Sequence, residues 1–139
     1  MRTCRLVCLL ACFAIAIPAL AQNGFPLKGS WSGDWWLKVG QENHILLEFN
    51  WDGKTATGTL NPGTDNATLQ KLMVTPPAGL ANAAGAWPVH FEADLKDESG
   101  KTVHYVVDGK LQNIGAFRKF VTGTWSAGAQ KGEFKIVRN

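Results

Sequence analysis

From residue 29 onward, large apolar side chains recur at every second position, in short runs separated by turn residues. The run 87–95 shows this most clearly, with Trp87, Val89, Phe91, Ala93 and Leu95 at alternate positions. Successive side chains of a β-strand point to opposite faces, so a period of two predicts strands with one buried face. No segment keeps a 3.6-residue apolar period, so we expect at most a short helix in a loop.

Turn signals at short intervals divide the chain into about eight predicted strands. The strongest is Asp52-Gly53, because both residue types tolerate a positive φ. The predicted strands cover 29–39, 44–51, 55–60, 67–74, 87–95, 103–111, 120–126 and 132–138. The sequence therefore predicts an all-β fold, a single antiparallel up-and-down β-barrel of about eight strands.

The first 21 residues have the features of an export signal. Arg2 and Arg5 precede an apolar run over 6–20, and Ala19-Leu20-Ala21 provides the small residues that signal peptidase requires. The run is shorter than the roughly 20 residues that cross a bilayer as a helix. We therefore expect a signal peptide over 1–21, a β-barrel domain over 22–139, no transmembrane span, and a periplasmic or secreted location.

An alternative processing route starts from Leu9-Leu10-Ala11-Cys12, which resembles a lipobox. Lipidation at Cys12 would then replace simple cleavage before Gln22. All three cysteines lie within 1–21, so the domain over 22–139 contains none and is expected to fold without disulfides. The whole chain carries a formal net charge of +3 and no long basic run, which argues against a nucleic-acid partner.

Three short motifs resemble the avidin and lipocalin-like barrels: Gly29-Ser30-Trp31, Thr57-Gly58-Thr59 and Trp87-Pro88-Val89-His90-Phe91. The chain also resembles small exported bacterial proteins of this general build. The resemblance implies an antiparallel up-and-down barrel with a ligand cavity at one end.

The resemblance also implies roles for particular residues. Phe91 and Trp125 would match two aromatic walls of the ligand site, and Glu133 lies near the place expected for a carboxylate. Gly33 and Leu60 stand where avidins have an asparagine and a tyrosine, which argues against biotin as the ligand.

The apolar face of the predicted barrel carries nine aromatic side chains: Trp31, Trp35, Phe49, Trp51, Trp87, Phe91, Tyr105, Trp125 and Phe134. An eight-stranded barrel is either filled by its side chains or holds one small ligand. Both readings stay open, because glycines on the same face either leave room or let strands bend sharply: Gly33, Gly58, Gly109 and Gly123.

A ligand would have to match an inward face that carries no charge. We therefore expect its entering part to be apolar or aromatic, since an unpaired buried charge is costly. Tyr105 and the indole N–H groups are the expected polar contacts. The candidate ligand-binding residues are Trp31, Trp35, Trp87, Phe91, Tyr105 and Trp125.

Histidines and carboxylates share the solvent face of two adjacent predicted strands: His90, Glu92, Asp94, His104 and Asp108. Cross-strand pairing would bring His104 opposite Asp94 or Glu92. Such a cluster is either a metal site or a set of surface contacts, and we expect surface contacts, no metal and no cofactor. With no cysteine in the domain and no Gly-x-Ser-x-Gly motif, we expect no catalytic residues and no enzyme activity.

Trp36 and Leu46 fall on the otherwise polar face, and we expect them to be close across the first hairpin. An apolar spot there would suit a homo-oligomer or a protein partner. The sequence thus predicts a non-enzymatic exported β-barrel that binds a small apolar or aromatic ligand at its mouth. The alternative is a structural or interaction module that acts through its outer surface, with side chains filling the barrel.

Overall fold

The computed structural model describes residues 25–63, 66–76 and 85–139, so the predicted signal peptide and Cys12 lie outside the described residues. All regular structure in these ranges is β-strand, and they hold no helix of the length and apolar character needed to cross a membrane. The strands are β1 (Gly29–Trp36), β2 (Asn43–Trp51), β3 (Ala56–Leu60), β4 (Ala67–Thr68), β5 (Gln70–Val74), β6 (Trp87–Lys96), β7 (Thr102–Gln112), β8 (Phe120–Ala127) and β9 (Gln130–Arg138).

The strands form one antiparallel sheet in the order β4-β3-β2-β1-β9-β8-β7-β6-β5. The first and last strands are paired, with Gly33 opposite Ile136. The two ends of this order, β4 and β5, are consecutive pieces of one segment of chain. The sheet therefore curls into a nearly closed barrel, which confirms the predicted fold class.

Residues 67–74, which we call the partner-switching segment, complete the barrel. The β4 part pairs with β3 and the β5 part pairs with β6. Between them, the Leu69 N–H donates to the Gly58 carbonyl over 2.9 Å, and the Leu69 side chain is buried. Lys71 has a φ of 48°, within an irregularity of the β5–β6 register. One predicted strand over 67–74 is thus two observed strands, which accounts for nine strands instead of eight.

One end of the barrel, the closed end, is covered by the chain just before β1. Residues 25–28 form a turn in which the Lys28 N–H donates to the Phe25 carbonyl over 3.0 Å. Leu27 and Trp31 are fully buried, and the Trp31 indole N–H donates to the Leu27 carbonyl over 2.7 Å. The Phe25 ring stacks on Trp51 with centroids 5.4 Å apart. Apolar side chains and a satisfied indole therefore seal this end.

The middle of the barrel is a packed core. Trp31, Phe49 and Phe91 meet edge to face, with centroids 6.3 Å apart for the first pair and 6.2 Å for the second. Other fully buried side chains complete the layer: Leu47, Leu111, Val121 and Ile136. On β6 and β7, the alternate residues predicted to point inward are the ones that face the core. The alternation in the sequence therefore assigned the interior face of these strands correctly.

Of the two readings of Gly33 and Gly123, the structure supports close strand approach and not empty space inside the barrel. A Cβ on Gly33 would lie 1.9 Å from the Lys135 carbonyl oxygen, and one on Gly123 would lie 2.1 Å from the Asp108 carbonyl oxygen. Both glycines face the backbone of a neighbouring strand and not an empty space. They allow two strands to approach closely where the sheet bends.

The predicted contact between Trp36 and Leu46 is also wrong. Leu46 lies opposite Ser32, four residues before Trp36, a separation of about 13 Å along a strand. The Trp36 indole N–H instead donates to Glu133 Oε2 on β9, over 3.3 Å. The two apolar residues therefore do not form one continuous spot.

Candidate functional site at the open end of the barrel

At the end opposite Leu27, the open end, three aromatic rings meet at steep angles. The ring centroids of Trp35 lie 6.0 Å from Tyr105 and 5.1 Å from Trp125, with interplanar angles of 83° and 79°. Tyr105 and Trp125 are 5.8 Å apart at 51°. We call these three residues the aromatic corner. Trp35 and Tyr105 are partly exposed at this end, whereas Trp125 is buried behind them.

Below the aromatic corner lies a cavity of about 70 Å³, reaching Leu47, Phe91 and Phe134. Apart from the indole N–H groups of Trp35 and Trp125, the polar side chains among its described lining residues are Asn61 and Tyr105. For comparison, an engineered apolar cavity of about 150 Å³ accommodates benzene. The inner cavity therefore has room for an alkyl group or part of a ring, and not for a long-chain ligand.

Two wider pockets flank the cavity at the barrel rim. One, the rim pocket of about 360 Å³, is bordered by the whole aromatic corner together with Glu42 and Gln130. The other, the side pocket of about 620 Å³, lies between Asn66 and Asp94 and shares Trp35 and Tyr105. An apolar cavity with a few polar groups at its entrance is typical of a small-molecule binding site.

The structure brings together four of the six predicted ligand-binding residues. Trp35, Phe91, Tyr105 and Trp125 all line the inner cavity. The other two, Trp31 and Trp87, lie toward the closed end, at the starts of β1 and β6. Alternation along a strand predicts that a side chain points inward, but not how far along the barrel axis it lies. The sequence therefore could not separate the four residues at the open end from the two near the closed end.

Sequence reasoning missed part of the site. Leu60 and Leu95 line the inner cavity, and their inward parity was a signal that pointed to them. Gln41 and Glu42 also border the rim pocket, and they lie in the loop between β1 and β2, outside the predicted strands. Loop residues carry no periodic signal, so their position at the rim required the structure.

Two indole N–H groups in the described residues are buried without a hydrogen-bond partner there, those of Trp87 and Trp125. An unpaired buried donor costs free energy relative to a paired one. The Trp125 nitrogen packs close to the backbone of Gly132, 2.5 Å from where a Cβ on that glycine would lie. A side chain on Gly132 would thus clash with the Trp36 carbonyl oxygen, at 2.1 Å, and with the Trp125 ring.

On the outer face, the Glu92 side chain is only 10% exposed. Glu92 and the five side chains that contact it or its neighbours form what we call the outer network: Lys71, His90, Asp94, His104 and Asp108. Lys71 Nζ lies 3.0 Å from Glu92 Oε1, and His104 Nε2 lies 2.9 Å from Glu92 Oε2. The predicted cross-strand approach is observed, because His104 pairs with Asp94 in the β6–β7 register.

The outer network favours a charged His104. Its Nδ1 lies 2.6 Å from Asp94 and its Nε2 lies 2.9 Å from Glu92, and ionised carboxylates accept hydrogen bonds only. Both ring nitrogens therefore carry protons when both bonds form. The bond to Asp94 and then the bond to Glu92 raise the pKa of His104. Hydrogen bonds from Lys71 to Glu92 and from His104 to Asp94 lower the pKa of those two carboxyls.

The outer network is occupied by its own hydrogen bonds. His90 Nδ1 lies 2.7 Å from Asp108, and Gln70 donates to Asp94 over 2.8 Å. In the ranges that the structure describes, no group of three or more His, Cys, Asp or Glu side chains has an arrangement suited to a metal ion. The hydrogen bonds of the outer network link β5, β6 and β7 on the outside of the barrel wall.

The roles implied by the resemblance to avidins are only partly compatible with this geometry. Phe91 and Trp125 do line the cavity. Glu133, however, lies on the outer face, bonded to Trp36, so it supplies no carboxylate to the interior. No family profile, curated protein or solved structure matches the chain.

Proposed function

We propose that this protein is an exported, non-enzymatic binding protein that takes a small apolar or aromatic ligand into the open end of its barrel. One observation carries the proposal: Trp35, Tyr105 and Trp125 border both the inner cavity and the rim pocket. A ligand seated there would contact aromatic rings on one side and polar rim groups on the other. Burial of apolar ligand surface against these rings provides the driving force.

The size of the inner cavity limits the ligand. About 70 Å³ admits the tip of a small molecule, so most of the ligand would occupy the rim pocket. Fatty acids and retinoids are too long to enter this interior. Single-ring compounds and short branched alkyl compounds are the classes that fit.

The likeness to avidin and lipocalin-like barrels belongs to the same proposal. A barrel with one closed end and one open aromatic end supports it at the level of architecture. Gly33 argues against an avidin-type ligand, because the Lys135 carbonyl leaves no space for a side chain at that position. Shared architecture alone is a weak guide to the ligand.

Export is the second part of the proposal, supported by Arg2, Arg5 and the apolar run over 6–20. The intact mass of protein isolated from its native host should correspond to a chain that begins at Gln22. A species that begins at a lipidated Cys12 would contradict simple cleavage.

Ligand binding can be tested by NMR of ¹⁵N-labelled protein titrated with benzyl alcohol. We expect the indole N–H signals of Trp35 and Trp125 to shift, while the signal of Trp31, bonded to Leu27 at the closed end, stays in place. The melting temperature should rise, in line with about 2.7 kcal/mol of added stability at a hundredfold excess over Kd. Absence of any shift up to the solubility limit, or an equal shift of Trp31, would contradict binding at the open end.

The alternative function is a structural or interaction module that uses the outer surface. The packed middle of the barrel favours it, together with exposed apolar side chains on the wall such as Leu46, 42% exposed, and Met73, 58% exposed. This alternative predicts no response of the aromatic corner to small ligands. The NMR titration therefore separates the two functions directly.

A further inference from the structure

We propose that the open end prefers an organic cation, an ammonium group bearing alkyl substituents, over neutral or anionic compounds of the same shape. The inference rests on the proposed binding function and names the ligand class for that site. It follows from the residues that share the rim pocket. Glu42 is the one charged residue among the described residues that border it, and the aromatic corner forms its inner side.

The aromatic corner has a geometry suited to a cation. The face of an indole or phenol ring carries negative electrostatic potential, and a cation within about 6 Å of the ring centroid is attracted to it. Trp35 meets Trp125 at 79° and Tyr105 at 83°, so the ring faces point in different directions, and all three rings border the same rim pocket. Rings at such angles form two sides of a cage, the arrangement that recognises quaternary ammonium groups.

The carboxylate at the rim is held in place by the backbone. The Gly40 N–H donates to Glu42 Oε1 over 2.9 Å. This hydrogen bond is the main cause that lowers the pKa of Glu42, so the group is ionised at neutral pH. The other polar side chains on the rim pocket are neutral, namely Gln41, Asn43 and Gln130. The described lining of the rim pocket therefore combines three aromatic rings with one ionised carboxylate, and it includes no lysine or arginine.

The inner cavity explains why the cation should be alkylated. No charged residue lines the cavity among those described, so a compact, strongly hydrated ammonium would lose its water there without replacement. Methyl groups on nitrogen spread the charge and provide apolar surface that fits about 70 Å³. The charge then stays over the aromatic corner, and the alkyl groups point into the cavity. An anion in the same place would face both Glu42 and the negative ring faces.

Three compounds of matched shape test this preference: choline, the neutral 3,3-dimethylbutan-1-ol and the anionic 3,3-dimethylbutanoate. We expect choline to bind about fivefold to tenfold more tightly than the alcohol, in keeping with cation–π attraction at a partly exposed site, and the anion to bind most weakly. Isothermal titration calorimetry gives the three values of Kd. Raising the ionic strength should weaken choline binding and leave the alcohol unchanged.

Two matched substitutions locate the effect. Glu42→Gln should reduce the choline-to-alcohol ratio by about threefold, because the remaining preference comes from the rings. Glu48→Gln, an exposed glutamate on the outer face of β2, should leave the ratio unchanged. Both residues are exposed, so both variants are expected to fold. A ratio that Glu42→Gln does not alter would overturn the assignment of the rim carboxylate.

The outcomes distinguish this inference from the proposed function. Equal Kd values for choline and the alcohol overturn the cation preference and leave binding at the open end intact. Failure of all three compounds and of benzyl alcohol overturns both. The cation has two possible sources, a free solute or a lipid headgroup. Co-sedimentation with phosphatidylcholine vesicles but not with phosphatidylglycerol vesicles assigns the headgroup, and binding of choline without co-sedimentation assigns the free cation.

Discussion

The two ends of this barrel are built from the same alternating strands, yet one is sealed and the other is not. At the closed end, Leu27 and Trp31 are fully buried and the Trp31 N–H is bonded to the Leu27 carbonyl. At the open end, Trp35 and Tyr105 remain partly exposed, and the surrounding loops contribute polar residues such as Glu42. Strand residues alone do not decide which end closes. The flanking segment does, because an apolar residue outside the strands completes the plug.

The largest expected effect compares a tryptophan from each end. Trp31→Ala should lower the free energy of unfolding by about 3–5 kcal/mol, since it removes a fully buried ring and leaves a cavity. Trp35→Ala should lower it by only about 1–2 kcal/mol, because the ring is partly exposed. Urea unfolding measures both. Equal losses would show that the open end is packed as tightly as the closed end.

A second test concerns the close approach of β1 and β9 between the two ends. Gly33→Ala should destabilise the protein by about 1–3 kcal/mol or more, because the new Cβ would meet the Lys135 carbonyl at 1.9 Å. Gly115→Ala is the matched control, since nothing lies within 4 Å of a Cβ there. If Gly33→Ala instead left stability unchanged, the strands would be further apart than described and the interior roomier.

A smaller effect comes from the outer network behind the wall of the open end. The raised pKa of His104 stabilises the folded protein below about pH 6.5, and this contribution is lost as pH rises through the folded-state value. The lowered pKa values of Glu92 and Asp94 act oppositely, giving stability above about pH 4.5 that is lost at lower pH. The difference in unfolding free energy between wild type and His104→Gln should therefore be greatest between pH 4.5 and 6.5.

The measurement is urea unfolding at several pH values from 4 to 9. His44→Gln controls for loss of an exposed histidine that pairs with Asp34 on another part of the wall. A difference for His104→Gln that stays constant over the whole pH range would argue against the two carboxylate bonds. Because the network lies outside the barrel, the Trp31 indole signal should be insensitive to the same pH change.

The smallest expected effect is on the outer wall away from both ends. Leu46→Lys should change the free energy of unfolding by less than about 0.5 kcal/mol, as is usual for an exposed site. Its sedimentation coefficient should match that of wild type, because Trp36 does not lie beside Leu46 to form a larger apolar patch. A shift toward smaller species would instead identify this wall as a subunit contact.

The sequence predicted what its periodicity encodes. Alternation identified the strands and inward residues such as Phe91 and Tyr105, and hence the barrel. It did not predict that Leu27 closes one end, because the turn over 25–28 has no period. The alternation of residues correctly predicted that Glu92 lies on the outer face. It did not predict that Glu92 is buried there, because the covering side chains come from two neighbouring strands. Glycine is ambiguous by nature, so Gly33 did not reveal whether empty space or a neighbouring backbone lies beside it.

The partner-switching segment makes the barrel mechanically unequal around its circumference. Its register with β3 consists of Thr59–Thr68 and Leu60–Ala67, and its register with β6 is interrupted between Gln70 and Met73. The β6–β7 ladder, in contrast, runs unbroken from Trp87 to Lys96. Opening the barrel along this segment breaks fewer backbone hydrogen bonds than separating β6 from β7. The backbone amide hydrogens of the partner-switching segment should therefore exchange faster than those of β6 and β7. The sheet is therefore expected to open first along the partner-switching segment, which begins beside the side pocket at the rim.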